Sequence, residues 1–284
     1  MGLLKIKLLI TVALAVSVLA LGCGQAKDIT AQEIVDKAVL ASVSVQTVKM
    51  DSDMSMTMDI TGEKPSSMQM DMDISGSMNI KETEIALTMD ANMDVPETGK
   101  QTMSTEMYIV DGWMYIKVEA PVVGEQWIKS KLDSNMWAQQ NQLAQQIELL
   151  KNAIEINSAG NETINGISCY VLEVNPNMAT LMDFISSQMG QEAGVDLPEN
   201  TDLSKMFKSI TVKEWISRDS YLPVKVDMKM VLEISAEDLG ETTEDIDKMT
   251  MDMSMVIEYF DYNKPVSIVL PSGAANAKEQ LLTK

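Results

Sequence analysis

Apolar and polar residues alternate with a period of two along much of this chain. Met54, Met56 and Met58 alternate with Ser55 and Thr57, and Met68, Met70 and Met72 with Gln69 and Asp71. Met228 and Met230 flank Lys229, and Met249, Met251, Met253 and Met255 enclose Thr250, Asp252 and Ser254. Successive side chains on a strand point to opposite faces, so each stretch predicts an amphipathic strand with a thioether face and a wet face.

The same period predicts the other strands. From Val48, one face carries Met50, Met54, Met56, Met58 and Ile60, and the other carries Lys49, Asp51, Asp53, Thr57 and Asp59. A turn around Gly62 and Pro65 leads to a second strand with Met68, Met70, Met72, Ile74, Met78 and Ile80 in phase. A third holds Ile85, Leu87, Met89, Met93 and Val95. Strands are expected over 102–110, 113–118, 126–129, 153–158, 167–174, 210–217, 224–234, 249–260 and 266–270.

Helical spacing interrupts this pattern. Thr30 and Glu33 form a capping box ahead of Ile34, Ala38, Ala41 and Val45. A second helix is expected from Asp133-Ser134, with Met136, Leu143, Ile147, Leu150 and Ile154 on one face. A third follows Asn175-Pro176, with Met178, Leu181, Met182, Ile185 and Met189. Residues 190–204, with Gly194 and Pro198, read as the least ordered stretch and a possible flap, and 236–248 as an acidic loop. The fold class is α+β: one antiparallel meander with a few helices.

The first residues read as a targeting segment. Lys5 and Lys7 precede an uncharged apolar run over 8–21, short for a membrane span, that ends in Leu19-Ala20-Leu21-Gly22-Cys23. That ending resembles a lipobox, which makes Cys23 the expected lipid-attachment site. The expected layout is therefore a lipoprotein signal peptide over 1–22, a tether over 23–29, a single domain over 30–271 and a flexible tail over 272–284. The protein is expected to be exported and held on the periplasmic or extracellular face of the cell membrane through acylated Cys23.

Charge and composition narrow the function. A net charge of −20 opposes binding to nucleic acid, whose phosphates need Lys and Arg. It equally opposes electrostatic docking on an anionic membrane. With no His, the usual general base and the Ser-His and Cys-His pairs are missing. No enzymatic activity and no cofactor are predicted. Of the two cysteines, Cys23 is taken by the lipobox and Cys169 sits in an apolar strand, where it reads as a small core residue.

The methionine face admits three readings. It can be ordinary core. It can be an adaptable wall for a flexible apolar ligand, because thioether side chains are unbranched and fill irregular space. Or it can bind Cu(I) or Ag(I), for which thioethers are soft ligands; Ile60, Ile74, Ile85, Leu87, Leu232, Ile234 and Ile257 in the same phase cannot ligate. The candidate cavity residues are Met54, Met56, Met58, Met70, Met72, Met89, Met228, Met230, Met251, Met253 and Met255. The run Asp71–Glu82 has carboxylates at EF-hand-like positions, yet strand alternation passes through it and no helix pattern flanks it, so it reads as a solvated strand face. Arg218 reads as a surface turn residue, and Trp113, Trp127, Trp137 and Trp215 as core or rim.

Several short motifs occur in a telling order: Asp111-Gly112-Trp113-Met114-Tyr115-Ile116 with Trp127 in the next strand; Gly160, Glu162, Ile164 and Gly166 followed by Tyr170 and Leu172; Trp215-Ile216 with Leu222-Pro223-Val224-Lys225; and Tyr262-Asn263-Lys264-Pro265-Val266 with Pro271. Together they resemble the LolA / LppX–LprG half-barrel lipoproteins. The resemblance implies a large, strongly curved antiparallel sheet, a half-barrel wrapped over helices, enclosing an apolar cavity that carries lipid or lipoprotein acyl chains. The partners it implies are a lipid or acyl chain, the membrane and an envelope protein. The alternative is a cell-surface interaction or sensor lipoprotein whose half-barrel is filled by its own side chains.

Overall fold

Alternating residues need a partner on each edge, and here the strands find it in one sheet. The computed structural model describes residues 29–63, 65–96, 99–120, 124–132, 137, 141–177, 180, 206–235 and 247–279. Expectations for the signal peptide, Cys23, most of the third helix, the 190–204 flap and residues 236–246 lie outside these residues. Helix α1 (Ala31–Ser42) leads into β1 (Thr47–Thr61), β2 (Ser66–Asn79), β3 (Glu84–Val95), β4 (Gly99–Val110), β5 (Trp113–Ala120) and β6 (Gly124–Lys131). Helix α2 (Gln142–Lys151) separates these from β7 (Glu155–Ile164), β8 (Ile167–Asn175), β9 (Phe207–Ser217), β10 (Pro223–Ser235), β11 (Lys248–Phe260) and β12 (Lys278–Glu279).

The order is β12-β6-β5-β4-β3-β2-β1-β11-β10-β9-β8-β7, a 12-stranded open sheet. All pairings are antiparallel except β12 on β6. Two meanders are joined at the centre, where β1 pairs with β11 from Lys49↔Phe260 to Thr61↔Lys248. Tight turns set the hairpin registers: Asp111-Gly112 and Asn165-Gly166 have φ of 53° and 75°, and 49° and 83°. Positive φ at both central positions gives the turn that matches strand twist, and Gly adopts it freely. These turns account for two of the sequence motifs.

Helix α1 starts as expected. The Thr30 hydroxyl accepts from the Glu33 N–H at 3.1 Å, and the Glu33 carboxylate accepts from the Thr30 N–H at 2.9 Å. Its residues Ile34, Val35 and Ala38 are buried, as are Leu143, Ile147 and Leu150 of α2. Both helices cover one end of one sheet face, on the rows Val48–Met78–Ile85–Ile109–Met114 and Tyr259–Met50–Gly76–Leu87–Met107. Dense burial of branched side chains at this end is the main source of stability. A smaller cluster of Cys169, Val171, Trp215 and Val224 forms on the opposite face, so Cys169 is indeed a core residue.

Four expectations change. The helical wrap is smaller than the resemblance implied: among the described residues, two short helices lie on an open sheet. Helix α2 ends at Lys151, and Ile154, expected on its buried face, is exposed; the Asn152 side chain donates to the Glu148 carbonyl at 2.9 Å and stops the helix there. No strand forms over 266–270. Instead the chain beyond Pro271, expected to be a loose tail, makes a 3-10 turn over Ser272–Asn276 and then pairs with β6. Gly273 lies so close to the Trp127 indole that a Cβ there would be 2.9 Å from its Nε1.

Candidate functional site

Away from the helices, the helix-bearing face continues as methionine. Register places Met230, Met253, Met56, Met70 and Met93 directly opposite one another across β10, β11, β1, β2 and β3. The next row toward the helices runs Met228–Met255–Met54–Met72–Ala91–Met103. The next row away from them runs Leu232–Met251–Met58–Met68. Opposed residues in an antiparallel pair lie about 4.5–5.5 Å apart, so each thioether has neighbours on both sides.

This brings together ten of the candidate residues: Met54, Met56, Met58, Met70, Met72, Met228, Met230, Met251, Met253 and Met255. Met89 lies one row further toward the helices, in the row Val226–Ile257–Ser52–Ile74–Met89. Met228 and Met230 are buried, and the other nine candidates are half-buried. Met253 and Met255 also pack against the core. Composition shifts along the strands: beneath the helices Val48, Ile85, Leu87 and Ile109 mix with Met50, Met78, Met107 and Met114, and beyond them methionine dominates. A packed core gains from branched, well-defined rotamers, whereas methionine conforms to irregular partners.

The opposite face is acidic. Asp53 stands across from Asp73, and Asp73 across from Asp90. A cleft of about 440 Å³ opens here between Asp51, Asp53, Asp73, Asp90 and Glu258. A second, of about 560 Å³, lies at the rim by Ala91, Met103, Glu119 and Glu125. None of the candidate methionines lines either cleft. Beside the rim, Lys117 pairs with Glu106 at 3.1 Å and with Glu119 and Glu125 at 3.6 and 3.7 Å. The Tyr108 hydroxyl donates to Glu106 at 2.8 Å, and that bond together with Lys117 holds the Glu106 carboxyl below its ordinary range. Among the described residues, no group of three or more His, Cys, Asp or Glu side chains is placed to hold a metal ion. Asp71 and Asp73 of the EF-hand-like stretch lie on β2, exposed on its polar face.

Sequence reasoning missed the most unusual buried group. Glu214 is 1% exposed and lies on the helix-bearing face of β9, where one carboxylate oxygen accepts from the Gln146 amide of α2. Burial pushes its carboxyl up to about 8, against the opposing effect of that hydrogen bond. The signal was present: Ile210, Val212, Glu214 and Ile216 share a phase, with an acid among aliphatic residues. Ser52, between Met50 and Met54, is the same kind of exception.

A family model described as "Family of unknown function (DUF6612)" matches residues 30–279, and the chain belongs to that family. No curated protein matches the chain. In structure the chain is similar to LprF from Mycobacterium bovis, at 14% identity and a TM-score of 0.42, over 85% of this chain and 96% of that one. It is similar to the Mycobacterium tuberculosis lipoprotein LppX at 12% identity and a TM-score of 0.38, over 83% and 96%. A putative outer membrane lipoprotein-sorting protein domain from Vibrio parahaemolyticus is also similar, at 12% and 0.25, over 84% and 95%. No helix of the described residues is long and apolar enough to cross a membrane.

Proposed function

We propose that this member of the DUF6612 family is an exported, lipid-anchored lipoprotein that holds acyl chains or similar apolar ligands against its methionine wall and carries or shields them. The observation behind this reading is the set of methionine rows, which extend a packed core into a half-buried apolar face of adaptable side chains. Acylated Cys23 supplies the tether, and an envelope protein supplies or receives the cargo. No catalytic step is part of this reading.

Burial is the mechanism. Each methylene removed from water contributes about 0.8 kcal/mol, so a sixteen-carbon chain contributes on the order of 12 kcal/mol gross. A bilayer offers nearly the same, which keeps the net preference small and transfer reversible. Native mass spectrometry of the soluble chain starting at Gly24 tests the reading: co-purified or added acyl lipid should remain bound. Repeated preparations that carry and accept no lipid favour the interaction or sensor alternative, in which the wall is self-filled.

One observation favours a second reading. Met56 has Met70 and Met253 directly opposite on its two sides, so three thioethers from separate strands share a row, an arrangement suited to Cu(I) or Ag(I). Metal analysis of the same sample after exposure to either ion separates it from the lipid reading.

A further inference from the structure

Among the described residues, three buried polar atoms have no hydrogen-bond partner: Ser52 Oγ of β1, Glu214 Oε2 of β9 and Tyr259 Oη of β11. Their residues are 4%, 1% and 2% exposed. All three lie on the helix-bearing face. Glu214 and Ser52 stand in one cross-strand row with Val226 and Ile257 between them, and Tyr259 is in the next row toward the helices, opposite Met50. The row on the other side of Ser52 is Met228–Met255–Met54–Met72. The three polar groups therefore stand where the methionine wall meets the core. Buried polar groups are almost always paired, and an unpaired one lowers stability until something pairs with it.

Their chemistry is uniform. The Glu214 carboxyl, pushed up by burial, keeps its proton at neutral pH. Burial and the nearby Glu214 raise the Tyr259 phenol above its ordinary range, so it stays O–H. Ser52 completes a set of three neutral O–H groups. The residues that share their rows are apolar or neutral: Leu172, Val226, Ile257, Ile74 and Met89 in one, and Met50, Gly76, Leu87 and Met107 in the other. Among the described residues, no Lys or Arg stands in these rows to balance a phosphate or carboxylate, and an unbalanced buried charge is costly.

We propose that Ser52, Glu214 and Tyr259 form a polar subsite that receives the uncharged, oxygen-bearing head of a glyceride-type lipid whose acyl chain lies along the methionine wall. This rests on the apolar-ligand reading of that wall. Hydroxyl and ester oxygens of such a head both match O–H partners, and flexible thioethers beside the subsite can part to admit it.

The test compares binding of 1-monopalmitoylglycerol, hexadecane and hexadecyl phosphate to the delipidated soluble chain, by displacement of a fluorescent apolar dye. Ser52→Ala and Tyr259→Phe each delete an unpaired hydroxyl without changing the carbon frame, so both variants should fold at least as stably as the parent. The parent should bind the glyceride more tightly than hexadecane. Each variant should lose about three- to tenfold in glyceride affinity with hexadecane affinity unchanged. Equal glyceride affinity in parent and variants overturns the subsite and leaves the wall intact. Tightest binding of hexadecyl phosphate overturns the neutral-head assignment. If no probe displaces the dye, the subsite and the wall reading fall together.

Discussion

Leu87 lies across Gly76. Its Cδ2 fills the space that a Cβ at position 76 would occupy, with the Met50 side chain 3.4 Å from the same point. The two residues face each other on β3 and β2 beneath the helices, where Leu87 is 7% exposed. The missing side chain at 76 is what lets Leu87 enter the core. Gly76→Ala should therefore destabilise the fold by about 1–3 kcal/mol through overpacking, despite the higher strand propensity of Ala. Urea unfolding of the soluble chain measures it, and Leu87→Ala in the same chain should relieve part of the cost.

Stability should fall as pH rises from about 4.5 to about 8. The Glu214 carboxyl holds its proton more tightly folded than unfolded, so its contribution is complete below the unfolded value and lost as pH climbs through about 8. The expected loss is on the order of a few kcal/mol. The chain has no His to mask this window. Tyr259 and Tyr262, also raised by burial, stay neutral through it. Urea midpoints at pH 5 and pH 8 should differ in the parent and nearly coincide in Glu214→Gln.

Methionines of the two regions should respond differently to truncation. Met50 is fully buried beneath the helices, and Met50→Ala should cost about 2–5 kcal/mol. Met56 is half-buried in the wall, so Met56→Ala should cost clearly less and appear instead as weaker binding of an apolar dye. Equal costs in denaturant would mean that the wall is ordinary core.

Like charges face each other on the polar side of the sheet. Asp73 stands opposite both Asp53 and Asp90, an arrangement that lowers stability. Asp73→Asn should raise the thermal midpoint modestly, by the equivalent of several tenths of a kcal/mol. The gain should shrink as salt is added, because exposed charges are screened.

Lys117 draws Glu106, Glu119 and Glu125 together at the rim. The Glu106 carboxyl is lowered by Tyr108 and Lys117, so the stability it supplies is present above its unfolded value and disappears as pH falls through the folded one. Lys117→Met should remove the lysine's share of this acid sensitivity and leave the share held by the Tyr108 hydrogen bond. Melting curves between pH 3 and pH 6 compare the two.

How much of this was legible in the sequence depends on the range of the cause. Strand phase, the Thr30–Glu33 cap and the two left-handed turns follow from geometry within a few residues, and sequence alone determined them. It also determined that the methionines of each strand share a face. Pairing of distant strands is a different matter. Only the tertiary structure decided that β1 meets β11, which makes Met56 and Met253 neighbours and turns separate stripes into continuous rows. Only it decided that α1 and α2 cover one end of those rows, leaving methionine half-buried at the other. Burial of Glu214 likewise depends on α2, whose Gln146 reaches it from far along the chain. Alternation records which side of a strand a residue takes; what lies over that side depends on which remote segments pair and pack, and no local period encodes that.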